Sequence, residues 1–390
     1  MGSNTIDWGA AQRIGETIAG SPPRGGVSAS TIEPLATDFA KRVSDYTGLA
    51  LPAKLPPLEV VDRPAWIAAN LKTMRPLLEP LTEQLGGSGN SSRSGGIIDL
   101  VSGPLRSASG FLLGAQVGAL TGVLAQRVLG QYDLALLDAT VEPRLLLLAP
   151  NLAQAARNLG VDRDELVLWV AIHELTHAVQ FGGAPWLREH LGGMLKELIA
   201  GLRVKLDGRP SNDDPDPSDG PSPNGDSPRK DGLGGWMPKL GGRDFDPSEL
   251  RGLVARARNG ELLRLTLGDE RWQLVERMQA TMSLIEGHAE HTMDAVGAEV
   301  LPSLPRLRAA LNRRRESRGL PWRVLERLLG LELKMKQYEV GKRFCDAIVR
   351  AEGPPALARV WGGPELLPST AELETPSLWL ARTHVPPVTS

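Results

Sequence analysis

The chain has one cysteine, Cys345, in 390 residues. No intrachain disulfide can form, and a structural zinc site needing two or more of its own thiolates is excluded. Cys345 falls in a helical pattern and reads as a small core residue rather than a nucleophile. An excess of either charge is also missing: 44 Lys and Arg stand against 46 Asp and Glu, for a net charge of −2. That balance leaves no electrostatic footprint for nucleic acid. The opening residues Met1-Gly2-Ser3-Asn4-Thr5-Ile6-Asp7-Trp8 have neither a basic start nor an apolar stretch. They match no secretory leader and no myristoylation pattern, so the expected location is cytoplasmic. Long apolar runs are scarce too. Residues 107–126 lack charge and approach the ~20 residues that span a bilayer. Yet they carry Ser107, Ser109, Gln116 and Thr121, and glycines at 110, 114, 118 and 122. Steps of four place these glycines along one helix face, a groove for close packing of another helix, and no stable membrane insertion is expected.

Against that spare background His173-Glu174-Leu175-Thr176-His177 stands out. On a helix, positions i and i+4 lie one turn apart on the same face. Two imidazoles so placed can grip one metal ion, and Glu174 beside them can take a proton from a metal-activated water. This is the H-E-x-x-H pattern of zinc peptidases. The apolar run Leu166–Ile172 precedes it, Asp162 is a predicted N-cap with Glu165 in capping-box position, and Gly182-Gly183 can end the helix. Two imidazoles and a carboxylate buried together without a metal would be costly to satisfy.

A catalytic zinc takes three protein ligands and keeps one position open. A third ligand at H-x-x-G-x-x-H is excluded, because Gln180 and Gly183 occupy those later positions. Of six histidines, two more lie in Leu284–Asp294, the best place to look. Met278, Met282, Ile285, Ala289 and Met293 define its inward face, and Glu286 lies among them. Glu286 is the leading third ligand, with Glu290 and His291 as alternatives. Glu290, one turn on, is a candidate acceptor for the free N–H of a ligating imidazole. His288 is expected toward the opposite side.

The fold reads as mainly α with a small β element, α+β in class. Residues 1–130 form an N-terminal helical region, in which amphipathic helices over 7–85 are broken by Pro-rich turns and followed by a Gly/Ser-rich loop at 86–96. Residues 131–206 begin the core, with predicted strands at Tyr132–Leu137 and Arg144–Leu148 ahead of the motif helix at 163–181. Residues 207–245 are a polar insert rich in Pro, Asp, Ser and Gly, expected to be disordered over 207–231. Residues 246–390 complete the core with further helices and a Pro-rich tail from Gly353. The Gly-striped helix is expected to pack on another helix, with the motif helix as one possible partner.

These residues resemble the zincin superfamily in its glutamate-liganded branch, and more narrowly the zincin-like metallopeptidase type 2 family. The stretches that carry the resemblance are Val128–Asp133, Ala149-Pro150-Asn151-Leu152, Ala171–Phe181 with Pro185-Trp186-Leu187, Glu286–Glu290, and Lys336-Gln337-Tyr338. Members have been labelled hypothetical hydrolases or proteins associated with coenzyme F420 biosynthesis. The resemblance implies a mostly helical zincin body with a small sheet, and supplies no substrate.

The expected activity is hydrolysis of a peptide or protein substrate with Zn2+ on His173, His177 and Glu286, and Glu174 as general base. Tyr338, one of only three tyrosines, is a candidate oxyanion donor, with anchoring of helix packing as the alternative role. The strand at 144–148 would pair with substrate if it were a free sheet edge. The rival readings are a catalytically silent zinc-binding scaffold, with the Trp361–Trp379 tail closing the site, and a membrane-associated factor. Oligomeric state is not legible.

Overall fold

The computed structural model describes residues 6–20, 32–87, 98–138, 140–206, 269–316 and 331–383. The expected disordered insert and the predicted helix at 322–329 lie outside these residues. In chain order the elements are α1 (Trp8–Ala19), α2 (Glu33–Thr47), β1 (Leu58–Val61), α3 (Arg63–Gly87) and α4 (Ile98–Ala125). Next come β2 (Gly130–Asp133), β3 (Arg144–Leu148), α5 (Ala149–Leu159), α6 (Arg163–Gly183) and α7 (Trp186–Leu206). After residue 268 follow α8 (Asp269–Val300), α9 (Leu304–Glu316) and α10 (Leu331–Glu352). The short helices α11 (Pro354–Leu357), α12 (Thr370–Glu374) and α13 (Pro376–Thr383) end the described chain. Among the described residues no helix is long and apolar enough to cross a membrane.

The three strands form one sheet in the order β1-β3-β2. β2 and β3 pair antiparallel, with Gly130 opposite Leu147 and Asp133 opposite Arg144, as a hairpin requires. Two expectations need correction. β2 starts at Gly130 and stops at Asp133, so 134–137 are not strand. β1 falls where amphipathic helices were expected, and it pairs parallel to β3, with Leu58 opposite Leu145 and Val61 opposite Leu148. A four-residue strand whose side chains are all half-buried leaves little alternation to read in sequence. As a result β3 is the central strand, and β1 and β2 are the edges of the sheet among the described residues.

β3 reads Arg-Leu-Leu-Leu-Leu because both its faces are covered. Leu145 and Leu147 pack with Leu152 and Ala155 of α5 and with Leu166, Val170 and Leu175 of α6. Leu146 and Leu148 pack on the other face, with Ala11, Trp66, Ile67, Leu71 and Ala125. The motif helix α6 thus lies on one face of the sheet. Asp162 Oδ1 caps it by accepting from Glu165 N–H at 2.9 Å, and the helix ends at Gly183. Thr176 is buried on it and donates to Ile172 O at 2.8 Å, which satisfies the hydroxyl locally.

The glycine stripe serves a helix crossing, but its partner is α1, not the motif helix. A Cβ on Gly114, Gly118 or Gly122 would meet the carbonyl oxygens of Asp7, Ala11 and Gly15 at 2.2–2.4 Å. A second close crossing involves the helix that carries Glu286: a Cβ on Gly287 of α8 would lie 2.1 Å from the Gly341 carbonyl carbon of α10. The Pro-rich tail joins the core. Trp379 is fully buried and donates to Leu366 O, and Trp186 donates to the Trp361 carbonyl. Cys345 is buried and its thiol pKa is raised by burial, as a core residue's would be.

Gly118→Val is expected to lower stability by about 1–3 kcal/mol or more, because a backbone carbonyl cannot step aside. Gly193→Ala, on an exposed position of α7 with open space around it, is expected to raise stability by roughly 0.5–1 kcal/mol. Thermal melts of the pair check both signs.

Candidate metal centre

On α6, His173 and His177 face the same way, one turn apart. Their Nε2 atoms are 3.2 Å apart and their rings meet edge to face at 4.7 Å. From α8, Glu286 Oε2 lies 3.6 Å from His173 Nε2 and 3.7 Å from His177 Nε2. The three ligand-type atoms lie within 4.8 Å of one another, an arrangement that can hold a metal ion. Ligands ~2.0–2.1 Å from a tetrahedral zinc are themselves about 3.3 Å apart, close to the observed spacings.

The tautomers support the same fit. Gln180, one turn beyond His177, is fully buried. Its amide nitrogen donates to Ile285 O at 3.0 Å, and a carbonyl can only accept. The same nitrogen reaches His288 Nδ1 at 2.9 Å. The Gln180 oxygen therefore faces His177, and accepts from its Nδ1–H at 2.8 Å. With that proton on Nδ1, neutral His177 presents a lone pair at Nε2, toward Glu286. A carboxylate and an imidazole lone pair facing one another at this spacing call for a cation between them, a proton or a metal.

The charges fit too. Burial acts to lower the His177 pKa, but Glu286, with its hydrogen bond, and Glu174 outweigh it and raise it to about 9. Burial acts to raise the Glu286 pKa, and His177 and His173 more than reverse this, holding the carboxyl well below the usual range. Glu174 is raised, first by burial and then by Glu286, against the pull of both imidazoles and of the Tyr132 backbone N–H that its carboxylate accepts.

That last bond places edge strand β2 over Glu174. A Cβ on Gly130 would come within 2.6 Å of Glu174 Oε1, so glycine is needed for this approach. A cavity of about 460 Å³ opens here. His173, Glu174, His177 and Glu286 line one part of it, and Leu134, Leu136, Phe181, Leu191, Met282 and Ile285 make an apolar wall. Tyr132 also lines it, stacked on Phe181 with ring centroids 5.5 Å apart, its pKa pushed up to about 12 by burial. Trp361 and Trp379 are not among the lining residues. Trp361 instead lies behind the site, edge to face with His288 at 5.0 Å.

Other expectations fall differently. Glu290, expected to accept from a ligating imidazole, pairs with Arg308 at 2.8 Å, and Gln180 is the acceptor at His177. His291, an alternative third ligand, is held elsewhere, between Tyr46 Oη at 2.8 Å and Asp346 Oδ1 at 2.6 Å. His288, expected on the opposite side, is fully buried against Gln180, and its pKa falls to about 3, first through burial and then through His291 and His177. Tyr338 belongs to α10, but its side chain lies outside the described residues. The sequence reading used Gln180 only to exclude a ligand pattern. Its i+3 spacing places it beside His177 on the same stretch of helix surface, where the two side chains can meet.

The sequence pattern of a family described as zincin-like metallopeptidase matches residues 6–380. A crystal structure from Chloroflexus aurantiacus, described as that of a candidate hydrolase with a novel fold, is similar at 28% identity. The match has a TM-score of 0.65 and covers 97% of this chain and 98% of that one. Among curated proteins none matches.

Metal uptake must displace the proton that His177 holds below about pH 9 in the metal-free protein. Calorimetry in buffers of different ionisation enthalpy is expected to show roughly one proton released per zinc near neutral pH, and affinity rising with pH until that release fades. Gln180→Leu leaves the His177 tautomer unset and is expected to weaken zinc affinity about 10–100-fold in a competitive chelator titration.

Proposed function

The chain belongs to the zincin-like metallopeptidase family, and from that premise we propose a zinc-dependent peptidase whose ion is held by His173, His177 and Glu286, with Glu174 as general base. The observation that carries this reading is the convergence of His173 Nε2, His177 Nε2 and Glu286 Oε2 beside a buried carboxylate, at the wall of an open cavity.

Zinc bound there would supply a Lewis acid that polarises a scissile carbonyl and lowers the pKa of a water to about 7. Glu174 takes a proton from the attacking water at its carboxylate and returns it to the leaving amine. The raised pKa of this buried group moves it toward the range where both transfers are efficient. The Tyr132 amide holds the carboxylate in place, and Gly130 leaves room for it.

The substrate strand is proposed to lie along β2, the edge strand beside the site, rather than along β3, which has neighbours on both sides. An extended peptide there would find main-chain partners, with the wall of Leu134, Leu136, Phe181, Leu191, Met282 and Ile285 receiving a bulky apolar side chain. Arg188 braces that wall by donating to the carbonyls of Ala135, Asp138 and Val141.

Glu174→Gln is expected to retain zinc while turnover of a peptide library falls by about 10²–10⁴-fold, the usual worth of a general base. The wild-type enzyme is expected to favour cleavage beside Leu, Met or Phe. Wild type and variant proving equally inert across broad libraries, with zinc bound in both, would replace the peptidase by a zinc-binding scaffold. Zinc loss on Glu286→Ala no greater than on His291→Ala would remove Glu286 as ligand.

A further inference from the structure

The far end of the small sheet holds a second polar cavity. β1 and β3 are adjacent and parallel, and each runs straight into a helix: Val61 leads through Asp62 into α3, and Leu148 leads into α5. The two helices depart to opposite faces. Trp66, Ile67 and Leu71 of α3 pack with Leu146 and Leu148, whereas Leu152, Ala155 and Ala156 of α5 pack with Leu145 and Leu147. Parallel strands whose following helices diverge in this way leave a crevice at their carboxyl ends, bounded by two helix N-termini. In open α/β sheets such crevices take ligands, anions above all.

Beside that crevice lies a cavity of about 470 Å³, with polar lining from Arg63 at the start of α3, from Gln126 and Arg127 after α4, and from Asn151, Gln154 and Asn158 along one face of α5. Among the described residues no carboxylate lines it. Arg63, the first residue of α3, is only 6% exposed. Among the described residues its hydrogen-bond partners are all neutral: Nε donates to Asn151 Oδ1 at 2.9 Å, Nη1 to Ala19 O at 2.6 Å and Nη2 to Gln154 Oε1 at 3.1 Å. These bonds use one hydrogen at each nitrogen, so Nη1 and Nη2 each keep a second. Burial lowers the Arg63 pKa, and no acidic neighbour among the described residues pushes it back up. A buried cation without a counter-charge is costly, and among charged groups arginine is the one shaped to recover that cost by binding an oxyanion.

The surrounding polar groups are already committed in ways that keep the cavity electropositive. Asn151 Nδ2 donates to the helix-end carbonyls of Ala125 and Val128, which ties up both acceptors. Asp62 turns its carboxylate to cap α3, accepting from Ala65 N–H at 2.9 Å. No side chain caps α5.

We propose that this cavity is an oxyanion-binding site, separate from the metal centre, that takes a phosphate or carboxylate group on Arg63 with help from Arg127, Gln154 and Asn158. The site uses none of the residues assigned to the metal, so it stands or falls apart from the peptidase reading.

The test is a titration of the full-length, zinc-loaded protein with inorganic phosphate, and separately with acetate. Chloride at matched ionic strength is the control, and thermal shift and calorimetry are the readouts. Asn158→Asp, on an exposed position of α5, sets a negative charge at the cavity mouth without disturbing a buried group. The expected result is saturable binding of one or both anions to wild type, weakened about tenfold or more by Asn158→Asp through repulsion. Arg127→Ala is expected to weaken it as well, while the zinc content of both variants stays that of wild type. Phosphate alone binding assigns a phosphoryl ligand, and acetate alone a carboxylate. The proposal is overturned if neither anion binds beyond the chloride control. It is equally overturned if Asn158→Asp and Arg127→Ala bind as wild type does, since the anion would then be sitting elsewhere, on the zinc included.

Discussion

Gln180 ties the motif helix to the glutamate helix, and the chemistry of the centre depends on that tie. Its amide can point only one way, because Ile285 offers a carbonyl that accepts and cannot donate. The direction of that one side chain fixes which nitrogen of His177 carries the proton, and hence which is free to bind. It also holds α6 and α8 at the spacing that brings Glu286 between the two imidazoles. Behind it, fully buried His288 accepts from the same amide and packs edge to face on Trp361, so the C-terminal segment backs the ligand-bearing helix.

Close approach of backbones supports this geometry on both flanks. Gly287 and Gly341 let α10 press against α8 at the residue next to Glu286. Gly130 lets β2 lie over Glu174. A Cβ at Gly287 or Gly341 would meet backbone, which no side-chain rotation can relieve, and one at Gly130 would meet the side chains of Glu174 and Val170. The glycine-striped crossing of α1 on α4 uses the same device farther away, on the face of the sheet turned from α6.

The small sheet has two ends of different character because its strands are mixed in direction. Along one edge, antiparallel β2 lies over Glu174, to which the Tyr132 N–H donates. At the carboxyl ends of the parallel pair β1 and β3, diverging helices adjoin an electropositive cavity around Arg63. β3, buried on both faces, joins the two ends and gives neither access.

Much of the centre was legible from local pattern. His173, Glu174 and His177 are placed by the helical repeat alone, and the period of the Met278–Met293 face was enough to turn Glu286 inward. Both inferences need only 3.6 residues per turn and a buried side. The same reasoning failed at His288, because the helix that carries it is covered on more than one side and no longer has a polar face to read. Glu290 went to Arg308, over a hundred residues from the motif, a partner that periodicity cannot name. β1 is too short and too evenly half-buried to show alternation, and its parallel pairing with β3 joins segments separated by α3, α4 and β2. Local sequence was enough to set His173 and His177 on one face of a helix with Glu174 beside them, since a helix repeats its geometry regardless of its surroundings. Which nitrogen of His177 turns toward Glu286, which strand is central and which arginine is buried away from any described acidic group were decided only when distant segments packed, because each depends on a neighbour that the chain's local order does not contain.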